Sequence, residues 1–131
     1  MRAVVSVAQA SGGRAMPLAE LAAAEGISQR FLEQIVLLLR RGGILESRRG
    51  SAGGYFLAVP AAKISLVDVL ELVDGPVRLM EPGESTTPSG RTLSAIFGEI
   101  EADVTGRLAS ITIEEVIARH VRSEGGMAYE I

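Results

Sequence analysis

The chain has 131 residues and a mass of 13.8 kDa, the size of one ordinary domain that buries about two-thirds of its unfolded surface in a single core. Hydrophobic residues make up 47% and charged residues 22% but aromatics only 4%, so this is a folded composition with an aliphatic core of Ala, Leu, Val and Ile. With no cysteine and a single histidine, His120, the sequence excludes disulfides, thiolate nucleophiles, cysteine-held zinc or iron–sulfur clusters and a histidine-rich metal site.

No apolar run exceeds five residues, far short of the roughly 20 that span a bilayer. No charged-then-apolar leader opens the chain. The expectation is a cytoplasmic protein with no membrane contact, metal or cofactor. The net charge of −3 conceals an asymmetry: through residue 63 there are eight basic and four acidic residues, net +4, and from residue 64 onward five basic and twelve acidic, net −7. Binding responds to the potential of a face rather than to the whole-chain sum, so the two halves call for separate readings.

Residues 2–10 are apolar and rich in Ala and Val, and the Ser11-Gly12-Gly13 cluster stops them as a first helix. Pro17 suits the first turn of a second helix over 17–25, and Gly26 provides the turn that follows. Ser28 is then a good N-cap for a helix over 28–41 with an apolar stripe of Phe31, Leu32, Ile35, Leu38 and Leu39. Two helices joined by a short glycine-containing turn make a helix-turn-helix. The period then changes: 44–49 and 55–59 read as strands around the flexible tip 50–54, a hairpin wing over 44–59. Ser65 and Asp68 form a capping box for a helix bearing Leu66, Val69, Leu70 and Val73, expected to pack under the wing.

The stretch 81–90 has two prolines and no hydrophobic side chain other than theirs, and reads as loop. From about 91 to 109, Leu93, Ile96, Phe97, Ile100, Val104 and Leu108 keep helical spacing on a helix longer than a small monomer needs, which suits pairing with its copy across a two-fold axis. The alternative is that this stripe packs on the chain's own core. Thr112 and Glu115 open a last short helix, followed by a frayed tail after Ser123. The expected fold is thus mainly α with a small β-hairpin. It divides into a winged helix-turn-helix over 1–76, a loop over 77–90, and a dimerisation helix with a C-terminal segment over 91–131 that packs back on the core.

The segment 26–55 carries the function, with five basic and two acidic residues, net +3. Gln29, Arg30, Glu33 and Gln34 lie on faces left free by the stripe, near the end of the helix that enters a major groove. There Gln pairs with adenine, Arg with guanine, and Glu accepts from the cytosine amino group. The Ser28 hydroxyl and the free amides of that helix start suit a backbone phosphate. Arg48 and Arg49 lead into the tip, where glycines let backbone approach a sugar–phosphate wall. Taken singly, Arg40 and Arg41 complement a helix dipole, 50–54 is a turn and Glu33 is a solvated charge; their order and spacing together favour DNA.

The run from Gly26 to Pro76, with FLEQ, RRGSAGGY and VDGP in that order, resembles the winged-helix core of the Rrf-two family of bacterial transcription regulators, which includes the IscR, NsrR and CymR types. The likeness is dense over 18–76 and looser over 91–119, where the closing ITIEEV is similar. It implies a homodimer of winged helices on double-stranded DNA with a palindromic operator. It places groove-reading residues at Ser28, Gln29, Arg30, Phe31, Glu33 and Gln34 and wing contacts at Arg49, Gly50, Ser51, Gly53 and Gly54. Two departures stand out. The family commonly carries a further segment ahead of the point resembling Met1. Its cluster-binding members carry cysteines in the loop where this chain has Glu81, Glu84, Ser85, Thr86 and Thr87, hard oxygen donors unsuited to an iron–sulfur cluster.

The sequence therefore leads to a dimeric DNA-binding transcription regulator, a repressor, controlled by an effector or partner protein that binds its DNA-competent and incompetent forms unequally. The rival reading is a winged-helix interaction module that has lost DNA binding and uses its acidic half as a contact surface. A small enzyme with 50–54 as a phosphate cradle is disfavoured: the Gly-Lys-Ser/Thr ending is missing, and His120 has no acid–base partner nearby in sequence.

Overall fold

The computed structural model describes residues 1–10, 13–81 and 86–129. The elements in chain order are α1 Arg2–Gln9, α2 Leu18–Glu25, α3 Gln29–Arg41, β1 Leu45–Arg48, β2 Gly54–Leu57, α4 Leu66–Asp74, α5 Pro88–Ser110 and α6 Ile113–Tyr129, with a 3-10 turn Ala61–Lys63 between β2 and α4. This is the expected mainly helical winged helix-turn-helix with a long C-terminal helix.

The local rules account for most boundaries. Pro17 caps α2 from outside, one residue earlier than a first-turn position, and Gly26 ends that helix in the left-handed region at φ 62°. Ser28 caps α3, and Ser65 and Asp68 form a reciprocal capping box on α4, with Ser65 N–H donating to Asp68 Oδ2 at 2.9 Å. Of the cluster expected to stop α1, Ser11 and Gly12 lie outside the described residues; the helix ends at Gln9, and Ala10 is extended.

Several expectations need correction. The long helix begins at Pro88, not Arg91, because Thr87 Oγ1 accepts from Gly90 N–H at 3.0 Å and a proline in the first turn needs no amide partner. Residues 88–90, read as loop, are thus its first turn. The last helix is not short: α6 continues to Tyr129, started by Thr112 Oγ1 accepting from Glu115 N–H at 3.1 Å. α4 packs mainly on α3 and α5 rather than under the wing. On α3, Phe31 and Leu38 are exposed and the inward stripe is Leu32, Val36 and Leu39 with Ile35 half-buried, since those positions share one side of the helix.

The core is aliphatic throughout. Val4 and Val7 of α1, Leu21 of α2, Leu32, Val36 and Leu39 of α3, Leu45 of β1, Val69 of α4 and Ile113 of α6 form one cluster with Ile64. Two backbone bridges tie distant segments to it. Met16 and Tyr55 exchange amide–carbonyl bonds of 2.8 Å in both directions, which adds one residue of the α1–α2 connection to the edge of β2. Leu66 N–H donates to Ile111 O at 2.9 Å and Ile113 N–H to Ile64 O at 2.8 Å, so the start of α6 is clasped to the start of α4.

Gly54 sits where the first bridge closes. A Cβ there would lie 2.3 Å from both the carbonyl carbon and oxygen of Met16, and its φ is +146°. Gly26 also has positive φ but nothing within 4 Å of an added Cβ. Gly54→Ala is therefore expected to cost on the order of 3 kcal/mol from overpacking plus backbone strain, and Gly26→Ala only about 1 kcal/mol from strain alone, as read from urea unfolding midpoints. Equal losses would mean that backbone conformation, not close approach, dictates Gly54.

Candidate nucleic-acid interface

Three residues, Gly26, Ile27 and Ser28, separate α2 from α3. Ile27 N–H reaches back to Ala22 O at 3.1 Å, and Ser28 Oγ accepts from Phe31 N–H at 3.2 Å, so the turn is closed from both sides. The serine oxygen expected to meet a phosphate thus accepts within its own cap; its hydroxyl hydrogen remains a donor. Ser28, Gln29, Arg30, Phe31, Glu33 and Gln34 are all exposed, and the structure brings these six together at the N-terminal half of α3. Arg40 and Arg41 occupy the last turn of the same helix, also exposed.

The wing follows through Gly42 and Gly43. A Cβ on Gly42 would fall 2.3 Å from Leu72 Cδ1, so α4 is seated directly against this turn. The strands are antiparallel, with Leu45 opposite Leu57, Glu46 opposite Phe56, Ser47 opposite Tyr55 and Arg48 opposite Gly54. Pairing extends one bond beyond the strands, from Ala58 N–H to Ile44 O at 2.9 Å. The Arg48 guanidinium lies 4.9 Å from the Phe56 ring centroid, a cation–π contact that holds this side chain along the strand. Arg49 is exposed at the base of the tip beside exposed Gly50 and Ser51.

Gly53 and Gly54 are half-buried and serve the fold first. Gly53 N–H donates to Gly50 O at 2.9 Å, and a Cβ on Gly53 would fall 2.3 Å from Arg48 O. Of the residues expected at the tip, Arg49, Gly50 and Ser51 are the ones free to face a partner. Exposed Arg14, on the connection from α1 to α2, pairs with exposed Glu20 at 2.6 Å, and this hydrogen bond holds the Glu20 carboxyl below the usual carboxylate range.

The long helix is arranged differently. Its only buried residue is Gly90. Leu93, Ile96, Ile100 and Val104 are exposed by 40–48%, and Phe97 and Leu108 are half-buried. The stripe is therefore not taken up by this chain's own core. Past the middle of α5, Glu101 Oε1 accepts from Leu79 N–H at 2.5 Å, which ties the segment after α4 to the helix. An open groove of about 510 Å³ runs between Leu79, Met80, Thr87, Leu93 and Phe97. Among the described residues, sequence reading missed one feature of the interface: Leu37, exposed on α3 in the middle of an apolar run that hid it.

A family model described as an iron-dependent transcriptional regulator of the Rrf2 type matches residues 1–119. A Mycobacterium tuberculosis protein named as an HTH-type transcriptional regulator is 37% identical over 120 residues, which cover 88% of this chain and 74% of that one. The transcriptional regulator IscR of Cereibacter sphaeroides is 40% identical over 104 residues, covering 79% of this chain and 63% of that one. Among solved structures, CymR of B. subtilis, described as its global cysteine regulator, superposes with a TM-score of 0.74 at 29% identity over 88% of each chain.

The iron in that family description does not fit these residues. The chain has no cysteine, and among the described residues no three His, Asp or Glu side chains converge on a point. In the loop expected to matter, Glu84 and Ser85 lie outside the described residues, and Glu81, Thr86 and Thr87 offer only hard oxygen donors. Protein purified without oxygen is expected to show no visible absorption from an iron–sulfur chromophore. A charge-transfer band with stoichiometric iron and sulfide would overturn this.

Proposed function

As a member of the Rrf2 family of transcriptional regulators, this chain is, we propose, a homodimeric repressor that reads a two-fold symmetric DNA operator with α3 and braces it with the wing. The observation that carries the reading is the outward face of α3, where Gln29, Arg30, Glu33 and Gln34 stand exposed next to a helix start with free amides. The groove-reading set is Ser28, Gln29, Arg30, Phe31, Glu33 and Gln34. The wing set is Arg49, Gly50 and Ser51, with Arg48 stacked on Phe56 as a brace for the strand and Gly53 and Gly54 shaping the tip.

Dimerisation is supported by α5. A 23-residue helix with four aliphatic side chains in water on one stripe gains by covering them, and an isologous contact between two copies does so with a single surface. Leu93, Ile96, Phe97, Ile100, Val104 and Leu108 form that surface. Residues 1–76 then act as the reading unit, 77–87 as the connection and α5 as the pairing helix, with α6 returning to the core at Ile113. Two copies of α3 reach successive major grooves, and an operator that overlaps a promoter is closed to polymerase.

Selection of binding sites from a random duplex pool tests the reading. The expected result is an enriched site with two inverted half-sites about one or two helical turns apart, and loss of that enrichment in Ile100→Glu, which sediments as a monomer. Enrichment of nothing would favour the protein-interaction module, with the acidic half as its contact surface. A monomeric wild type that still selects single half-sites would remove the dimer alone.

The roles within the interface separate by salt. Arg49→Ala is expected to weaken binding to all duplexes and to flatten the salt dependence by about one unit of slope, because one phosphate contact is lost. Glu33→Ala or Gln34→Ala is expected to relax preference at one operator position, with a loss of about 1–3 kcal/mol against the selected site and little change in slope. Titrations by fluorescence anisotropy at two salt concentrations distinguish the two patterns, and uniform losses from all three variants would contradict the division of labour.

A further inference from the structure

An apolar side chain stands within the polar face of α3. At roughly 100° of rotation per residue, Arg30, Gln34, Leu37 and Arg41 fall within about 60° of one another, on the side opposite buried Leu32, Val36 and Leu39. Leu37 is 44% exposed and does not belong to the core cluster or to the residues packed against it. A solitary exposed leucine is ordinary on a protein surface. Its neighbours along this stripe, however, are the guanidinium and amide groups assigned above to base edges.

Those neighbours can satisfy donors and acceptors in a groove, and a leucine cannot. Pressed against an amino group or a carbonyl it would strip water from a polar group and offer nothing in return. The major-groove edge carries one apolar feature, the C5-methyl group of thymine. Leu37 lies roughly 4.5 Å along the helix axis from Gln34 and on nearly the same side, close enough for the two to address neighbouring base pairs.

We propose that Leu37 is a specificity-determining residue that packs on a thymine C5-methyl group in each half-site, selecting thymine over cytosine there. This rests on the assignment of α3 as the DNA-reading helix. Cytosine carries a hydrogen at C5 and an amino group where thymine has O4, so each base keeps one polar group beside the leucine and the selection rests on the methyl contact that cytosine cannot make. Leu38, one residue on, is also exposed but lies about 100° further round the helix, outside the stripe, and provides an internal control.

The test removes the methyl group and nothing else. Each thymine of the selected operator is replaced in turn by deoxyuridine, and affinity is measured by anisotropy for the wild-type chain, Leu37→Ala and Leu38→Ala. At one thymine per half-site, the wild type is expected to lose about fourfold, the size of one buried methyl-sized group. Leu37→Ala is expected to lose no more than about twofold at that thymine, and Leu38→Ala to keep the wild-type loss. Identical uracil responses in wild type and Leu37→Ala at every thymine, or no response in the wild type, would overturn the proposal while leaving α3 as the reading helix. A wild type that binds selected and scrambled duplexes equally would defeat the reading of α3, and the proposal with it.

Discussion

The pair of 2.8 Å hydrogen bonds between Met16 and Tyr55 fixes the wing to the segment that leads into α2. The chain enters the wing through the Gly42–Gly43 turn and leaves it through the 3-10 turn, and Leu45 of β1 is buried in the core. With the bridge closed, α2, α3 and the hairpin form a ring in which each member limits the others. Gly54 is the condition for that closure, because its missing side chain lets the backbone of β2 lie on Met16 and Pro17. The exposed tip at Arg49, Gly50 and Ser51 therefore projects from a frame set by main-chain atoms. Such a frame holds α3 and the wing tip at a constant separation.

The charge distribution follows the same division. The basic residues of α3 and the wing belong to the part of the chain with net +4, and the acidic excess lies in α4, α5 and α6. An isoelectric point near 5.2 describes the sum and conceals the arrangement. Arg30, Arg40 and Arg41 on α3 and Arg49 at the wing tip are all exposed, and they belong to the basic half. The chain has no cysteine, and the frame is built without any.

Much of this was legible in the residues, because short-range chemistry sets it. Ser28 before an apolar run, the Ser65–Asp68 box and the change of period at Ile44 each depend on neighbours a few positions away, and each led to the right element. The misreadings were of two kinds. In α3, residues 35–39 are all apolar, so periodicity cannot choose which face turns inward; Val36, outside the expected apolar stripe, is buried, and Phe31 and Leu38, within it, are exposed. In α5 and α6, Pro88 and the glycines near the C-terminus read as loop and frayed tail, whereas the cap at Thr87 starts α5 at Pro88 and α6 runs on to Tyr129. Gly53 and Gly54 show the same limit from another side. Their partners at Arg48 and Met16 explain them as packing requirements, and Met16 is remote in sequence and carries no motif.

The clasp between Ser65 and Thr112 has an evolutionary corollary. It closes a long excursion of chain that contains α4, the segment after it and the whole of α5, and returns that chain to the core at Ile113. The entropy of closing such an excursion rises only with the logarithm of its length, by about 0.6 kcal/mol for each doubling. Residues can be inserted, deleted or exchanged between α4 and α5 at small cost, provided that Ile64, Leu66, Ile111 and Ile113 still meet. A lineage built on this plan is free to vary that stretch while it keeps the same core.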